Sequence, residues 1–420
     1  MKLPLHLAAA FAALAIGLAG QPALAAGDKV VVASKIDTEG SLLGNMILAL
    51  LDKAVFPRPK ICGEYLSPEA SRILDALGVL KAVDQAGAQP LRGMRIVAPD
   101  GTALDGAYPT SGPWRGYRDH ALAIPREALD RILVERAKTL PVEVRERHRV
   151  TGLVRDSGHV AGVTAQDEDG RELEIRCRLV IGADGRSSVV AASLGLVRPH
   201  PLRRMALIQH VAGLQGLGDR GEIYIDPPDY AILNPVAPGL VNLGLVVPLA
   251  HAAPWSGRLE TFFRARLKQL RHLAPRLAGM EPAGRLMAMG PLAYRVGEPR
   301  VGGVLLAGDA AGFYDPFTGE GIFRALRSAE LLVETAHAAL TRGDLSARAL
   351  AKYALARRRE FAAKSRVTRG IQLLIARRRP ANLAARTLAR RPDLLGVLMG
   401  VIGDFVPAGE LLRQVLRRPV

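Results

Sequence analysis

Two short segments of this 420-residue chain carry residue types at a spacing suited to holding a ligand's polar atoms. The first is Gly182-Ala-Asp-Gly-Arg-Ser-Ser188, which follows the apolar run Leu179-Val-Ile. The second is Gly308-Asp-Ala-Ala-Gly-Phe-Tyr-Asp-Pro-Phe-Thr-Gly-Glu-Gly321, which follows Val304-Leu-Leu-Ala. Their aspartates, Asp184 and Asp309, lie 125 positions apart. A glycine such as Gly308 lets backbone approach a ligand, and Asp309 offers a carboxylate to a ligand hydroxyl. Pro316 to Gly321 opens a helix whose exposed N–H groups carry about half a positive charge and favour an anion. No paired carboxylates, metal-ligand cluster or nucleophile–base arrangement stands out elsewhere, which suits chemistry performed by a bound cofactor.

The elements that must position these turns are readable from periodicity. Phe56-Pro-Arg-Pro-Lys-Ile-Cys-Gly-Glu-Tyr-Leu-Ser-Pro-Glu-Ala70 is a Pro-rich turn entering a helix. Ser67 caps it, Pro68 takes the first helical position, and Ile73, Leu74 and Leu77 form its apolar stripe. A second helix follows Ile124-Pro-Arg126, with Leu129, Leu133 and Ala137 at helical spacing. Val150 to Leu179 reads as a β-meander with polar turns at Asp156-Ser-Gly and Asp167-Glu-Asp-Gly. Residues 201–300 read as antiparallel strands over Arg204–His210, Glu222–Asp226, Tyr230–Pro235 and Leu240–Val247, the last two joined at Pro238-Gly239.

On the paired Gly-Ala-Asp-Gly and Gly-Asp-Ala-Ala-Gly elements, the chain from about Leu51 to residue 345 resembles the superfamily of FAD-dependent monooxygenases and reductases. That group includes aromatic hydroxylases, geranylgeranyl reductases and flavin halogenases. The resemblance implies FAD as cofactor and NAD(P)H as electron donor. It puts Gly308 and Asp309 at the ribityl chain, and Pro316, Gly319 and Gly321 at the anionic edge of the reduced flavin. It puts Asp184 and Gly185 near the pyrophosphate and the pyridine nucleotide, and Arg126 near the phosphates or the ribityl chain. Arg58 and the Cys62-Gly63-Glu64 turn would line the flavin side of the pocket. Tyr230, His210 and His120 are candidates for the substrate pocket, with a structural or surface role competing for each. The reductase and halogenase branches carry tryptophan in the strand ending at Pro235, where this chain has Ile232.

The front of the chain departs from that pattern. Lys2, the apolar Leu3–Gly20 stretch and Ala23-Leu-Ala25 read as a secretory signal peptide over 1–25. Lys29 to Ile47 resembles the start of periplasmic substrate-binding proteins of osmoprotectant (glycine-betaine type) transporters. Asp52 sits where the superfamily's ribose-binding acid should be, but no Gly-x-Gly-x-x-Gly precedes it. Gly216-Leu-Gly-Asp-Arg-Gly221 matches that spacing but precedes a strand instead of opening a helix. The expectation is therefore an α/β chimera: a Rossmann-like FAD-binding domain lacking its first strand, turn and helix, an antiparallel-sheet substrate domain, and a C-terminal helical tail. The segments are 1–25 (signal), 26–52 (foreign), 53–80, 115–200 and 300–345 (FAD-binding), 81–114 and 201–299 (substrate), and 346–420 (basic tail).

Composition sets the outer limits. A chain 49% hydrophobic and 23% charged is globular in type, not collagenous or coiled-coil. Its 19 aromatics never interleave with a basic run, which argues against nucleic acid as a partner. The net charge of +17 is concentrated in residues 351–420, which hold sixteen Lys/Arg against four Asp/Glu. With an apolar stretch between arginine triplets, the tail suggests peripheral membrane contact, while a solvated face packed on the flavin domain competes. Cys62 and Cys177 are too few for a disulfide framework. The expected reaction is NAD(P)H-driven hydroxylation or epoxidation of an apolar or aromatic small molecule. Reduction of an isoprenoid double bond, and an inactive chimera with impaired FAD binding, are the alternatives. The body reads cytoplasmic or membrane-peripheral and the leader reads exported, so the two disagree about compartment.

Overall fold

The computed structural model describes residues 30–34 and 49–416; the expected signal peptide lies outside them. The two ligand-binding turns sit on a five-stranded parallel sheet. Its order is Val304–Leu306, Leu179–Ala183, Val30–Ser34, Ala49–Leu51, Glu143–Arg145. Its inner strands read as unbroken apolar runs because both faces are covered; Leu179–Ala183 is buried throughout. On one face Ile181 and Leu305 pack against Leu332, Ala336 and Tyr353 from the helices that follow. On the other, Val31, Val180 and Val304 meet Val160 and Val163 of the meander Arg149–Asp156, His159–Gln166, Glu172–Arg176.

This corrects one expectation. The sheet does not lack its central strand: Val30–Ser34 pairs in parallel with both Leu179–Ala183 and Ala49–Leu51, and Val31 is fully buried. β-Branched, apolar Val31 suits the centre of a parallel sheet, which asks for little more than β-propensity and register. The turn and helix said to be missing fall at 35–48, outside the described residues.

The second sheet is mainly antiparallel. Arg204–Ala212, Leu240–Pro248, Asp229–Ala237 and Gly221–Asp226 are neighbours, and Gly93–Val97 with Ala103–Ala107 extends the edge. One face is closed by Phe262, Phe263 and Leu267 of the Leu259–Gln269 helix. The other faces the turns.

Seven helices matter below: α1 (Pro68–Ala76), α2 (Arg126–Lys138), α3 (Gly321–Arg342), α4 (Ala347–Ile375), α5 (Arg378–Ala389), α6 (Pro392–Ile402) and α7 (Ala408–Leu416). Ser67 caps α1 by accepting from the Ala70 N–H at 3.3 Å, with Pro68 in the first turn. The tail helices are integral to the fold. Ile375, Met399 and Ile402 share one core with Ile208, Ile223 and Tyr230 of the second sheet. The contact is close enough that a Cβ on Gly106 would lie 2.5 Å from the Met399 sulfur. Lys364 on α4 reaches Asp404, just past α6, and ties the tail to the body. Met399→Ala should therefore lower the free energy of unfolding by about 2–5 kcal/mol. Urea denaturation checks this, and an unchanged midpoint would mean that the tail is a detachable appendage.

Candidate functional site

The second turn is built around a carboxylate. Asp315, buried to 2% exposure, accepts hydrogen bonds from the Phe317 N–H (3.0 Å), the Tyr230 hydroxyl (2.6 Å) and Gln372 Nε2 (2.7 Å). Arg204, itself bonded to Gln372, lies 3.7 Å from its other oxygen. Burial raises the Asp315 pKa to about 6 despite these partners. Gly319 follows at φ +64°, where a Cβ would lie 2.7 Å from the Tyr65 ring, so the turn accepts glycine alone. Beyond it, α3 starts at Gly321 with its N-terminus at the cleft. Tyr230 therefore stands behind the turn and braces it; it does not line the cleft.

The opposite wall is a clamp on Cys62-Gly63-Glu64. Glu64 has φ +58°, a left-handed conformation that side chains rarely adopt. It persists because the segment is bonded on every side. Asn234 donates to the Gly63 carbonyl (2.7 Å) and Asn242 to the Cys62 carbonyl (2.9 Å). The Glu64 carboxylate takes the Arg126 N–H (2.8 Å), Asn242 Nδ2 (2.9 Å) and His210 Nε2 (2.6 Å). The bond to Glu64 raises the His210 pKa. Asn234 and Asn242 face each other in register across neighbouring strands. Arg126 opens α2, forms a buried ion pair with Asp130 at 2.8 Å, and lines the cleft.

Between turn and clamp lies a cleft of about 1190 Å³ of empty space, its open mouth included. Its walls are chiefly apolar: Ile61, Tyr65, Met94, Ile208, Ile232, Val246, Met289, Phe313, Phe317 and Ile402. Asp309 lines this cleft and two adjoining cavities. Withdrawal from water raises its pKa against the pull of Lys60, Arg186 and Arg126. One adjoining cavity is cationic, lined by Arg58, Lys60, Arg186 and Arg285. There Arg58 Nε and Arg186 NH1 are buried without a hydrogen-bond partner among the described residues, as donors awaiting an anion would be.

The two aspartate turns pack against each other, and Gly185 (φ +71°) shares the cationic cavity with Asp309. Asp184 itself turns inward: its Oδ2 accepts from the Val189 and Val190 N–H groups at 2.6 and 3.2 Å and caps the short helix there. Gly308 (φ +52°) leads into the 3₁₀ turn that carries Asp309. Asp52, fully buried at the end of Ala49–Leu51, accepts from the Ala54 N–H at 2.8 Å and lies 3.8 Å from Arg58.

His120 is a correction. It sits on the loop before Ala121–Ala123, 2.6 Å from Asp119 at the surface, and does not line the cleft. His210 approaches the cleft only through Glu64. Sequence reasoning missed Asn234, Asn242, Asp315, Gln372, Lys60 and Arg186. The two asparagines left a signal, as polar residues at inward positions of otherwise apolar strands.

A family model described as an FAD binding domain matches residues 48–368. The digeranylgeranylglycerophospholipid reductase of Methanosarcina mazei is 30% identical over 267 residues, 61% of this chain and 61% of that protein. The chain thus spans about three fifths of the length of the curated relatives first matched. Among solved structures, the flavin-dependent brominase Bmp2 superposes with a TM-score of 0.77 at 19% identity, covering 93% of this chain and 98% of that one. A probable FAD-dependent monooxygenase from Pseudomonas aeruginosa, PqsL, does so with a TM-score of 0.67 at 22% identity, covering 86% and 100%. Likeness at these identities is likeness of fold. The resemblance of the first 50 residues to an osmoprotectant-binding protein gains no support from these comparisons.

Lys60 gives the site a pH signature. Burial, then the nearby Arg126 charge, lowers its pKa from 10.5 to about 7. The folded chain without ligand then binds fewer protons than the unfolded chain between those values, so stability rises with pH across that window. The expected slope is at most ~1.4 kcal/mol per pH unit, and Lys60→Met should remove it. Denaturation midpoints of both proteins over the window check this; parallel profiles would place Lys60 in water.

Proposed function

The chain belongs to the FAD binding domain family, a family of FAD-dependent oxidoreductases, and from that premise we propose that it oxygenates an apolar or aromatic small molecule with NAD(P)H as electron donor. The residues present fit FAD. The orphaned Arg58 and Arg186 donors would hold its diphosphate, Asp309 a ribityl hydroxyl, and the buried Asp52 the adenosine ribose. When bound, FAD supplies the redox chemistry, taking an electron pair from the nicotinamide and passing it on. The protein's part is to bind, orient and keep water out. The N–H groups at the start of α3 favour negative charge at the head of the cleft. The turn braced by Asp315 and the clamp around Glu64 keep the two walls at a set separation.

The reading rests on one observation: the cleft wall facing the second sheet is apolar, and its carboxylate, Glu64, is fully engaged in hydrogen bonds. Such a wall selects an apolar substrate and offers it no acid–base pair, which suits oxygen transfer arranged by the cofactor. Ile232 in that wall, where a tryptophan would mark the reductase and halogenase branches, points the same way.

A second reading, saturation of an isoprenoid double bond, is favoured by Tyr65. Its hydroxyl meets that of Tyr108 at 2.6 Å beside the cleft, and burial keeps both phenols neutral, so a proton donor stands at the wall. The Methanosarcina relative is named as a reductase. The test begins with the absorbance of the purified chain after incubation with FAD, read for the two flavin bands. NAD(P)H oxidation is then followed with an apolar phenol or an isoprenoid alcohol, with and without oxygen. Oxygen uptake matching NAD(P)H consumption, with a hydroxylated product, is the expected result. Oxygen-independent turnover to a saturated product would establish the second reading. A chain that retains no FAD would end both and leave the inactive chimera, the absent Gly-x-Gly-x-x-Gly then being decisive.

A further inference from the structure

Helices α4 and α5 meet at an elbow that leaves three leucines exposed among arginines. Leu373 and Leu383 are 76% and 69% exposed, the two most exposed large apolar side chains among the described residues, and Leu374 is 43% exposed. Single exposed leucines are ordinary; this group is set apart by the charge around it. Between Glu360 and Asp393 the chain has no acidic residue and nine Lys/Arg. Lys364, Arg378, Arg386 and Arg391 are ion-paired, with Asp404, Asp226, Asp100 and Asp393. Arg366, Arg369, Arg377, Arg379 and Arg390 are exposed and form no ion pair with a described residue. The elbow thus presents leucines within a field of unneutralised guanidinium groups.

The geometry points to this elbow as the surface by which the protein docks on an anionic phospholipid bilayer, Leu373, Leu374 and Leu383 entering the headgroup–acyl boundary and the arginines engaging lipid phosphates. Exposed apolar side chains flanked by arginine, with no acid in between along the chain, match the apolar and anionic layers of such an interface in chemistry and in charge. Guanidinium also binds phosphate through paired donors. The contact is peripheral, since no helix among the described residues is long and apolar enough to cross a membrane. On the inner side of the same elbow, Ile375, Ala381 and Ala385 pack in the core that holds the cleft residues Ile208 and Ile402. The elbow is thus tied through one core to residues of the cleft wall. This inference holds whichever reaction the cleft performs.

The test is flotation of the full chain with vesicles of phosphatidylcholine alone and of phosphatidylcholine mixed with phosphatidylglycerol. Binding to the mixed vesicles should be at least about tenfold stronger and should weaken as salt is added. The double variant Leu373→Glu/Leu383→Glu should lose at least about tenfold of that binding, with thermal midpoint and oligomeric state unchanged. Leu373→Ala/Leu383→Ala serves if the charged variant misfolds. Equal binding to both vesicle types, full binding by the leucine variants, or a wild-type dimer that the leucine variants dissociate would each overturn the proposal. The last would assign the patch to a second copy of the chain.

Discussion

A carboxylate withdrawn from water must find bonds inside the protein or cost several kcal/mol, and Asp315 draws on three separate parts of the chain, with three hydrogen bonds on Oδ1 and only the Arg204 charge, 3.7 Å away, beside Oδ2. Tyr230 and Arg204 come from the second sheet, Gln372 from the long tail helix, and the Phe317 N–H from the turn itself. The turn that heads the cleft is thereby bonded to both sheet and tail. The same contacts make the tail a structural partner of the site, with Ile402 in the cleft wall and Met399 against Gly106.

The facing wall obeys the same logic with a different instrument. A non-glycine residue at φ +58° stores on the order of 1–3 kcal/mol of strain, and it survives at Glu64 because the hydrogen bonds around it over-determine the backbone. Asn234 and Asn242, register partners on adjacent strands, convert sheet pairing into the position of Cys62 and Gly63. The two walls are thus set by two buried polar networks, and the apolar space between them follows.

The parallel sheet is more permissive. Its central place is taken by Val30–Ser34, because a sheet centre asks only for apolar, β-prone residues in register. A diphosphate cradle asks for a particular glycine pattern between first strand and first helix, which this chain does not carry ahead of Asp52. The strand is therefore in place whatever loop follows it, while the buried, unpartnered guanidinium groups of Arg58 and Arg186 are the donors this structure sets beside Asp309.

The α/β architecture, the meander, the antiparallel strands and the aspartate turns were legible in the sequence, because each follows from local periodicity, glycine punctuation and capping. So was the cleft membership of Gly63, Glu64, Arg126, Asp309 and Pro316, carried by motifs whose residues lie close together in the chain. Tertiary structure alone decided that Tyr230 braces the turn from behind, that His120 stays at the surface, and that Asn242 reaches back 178 positions to Glu64. It also decided which face of the basic tail is core and which is open. The physical reason is the same in each case: a buried polar bond between distant residues depends on which elements come to lie side by side, and chain periodicity records only an element's own inward and outward faces.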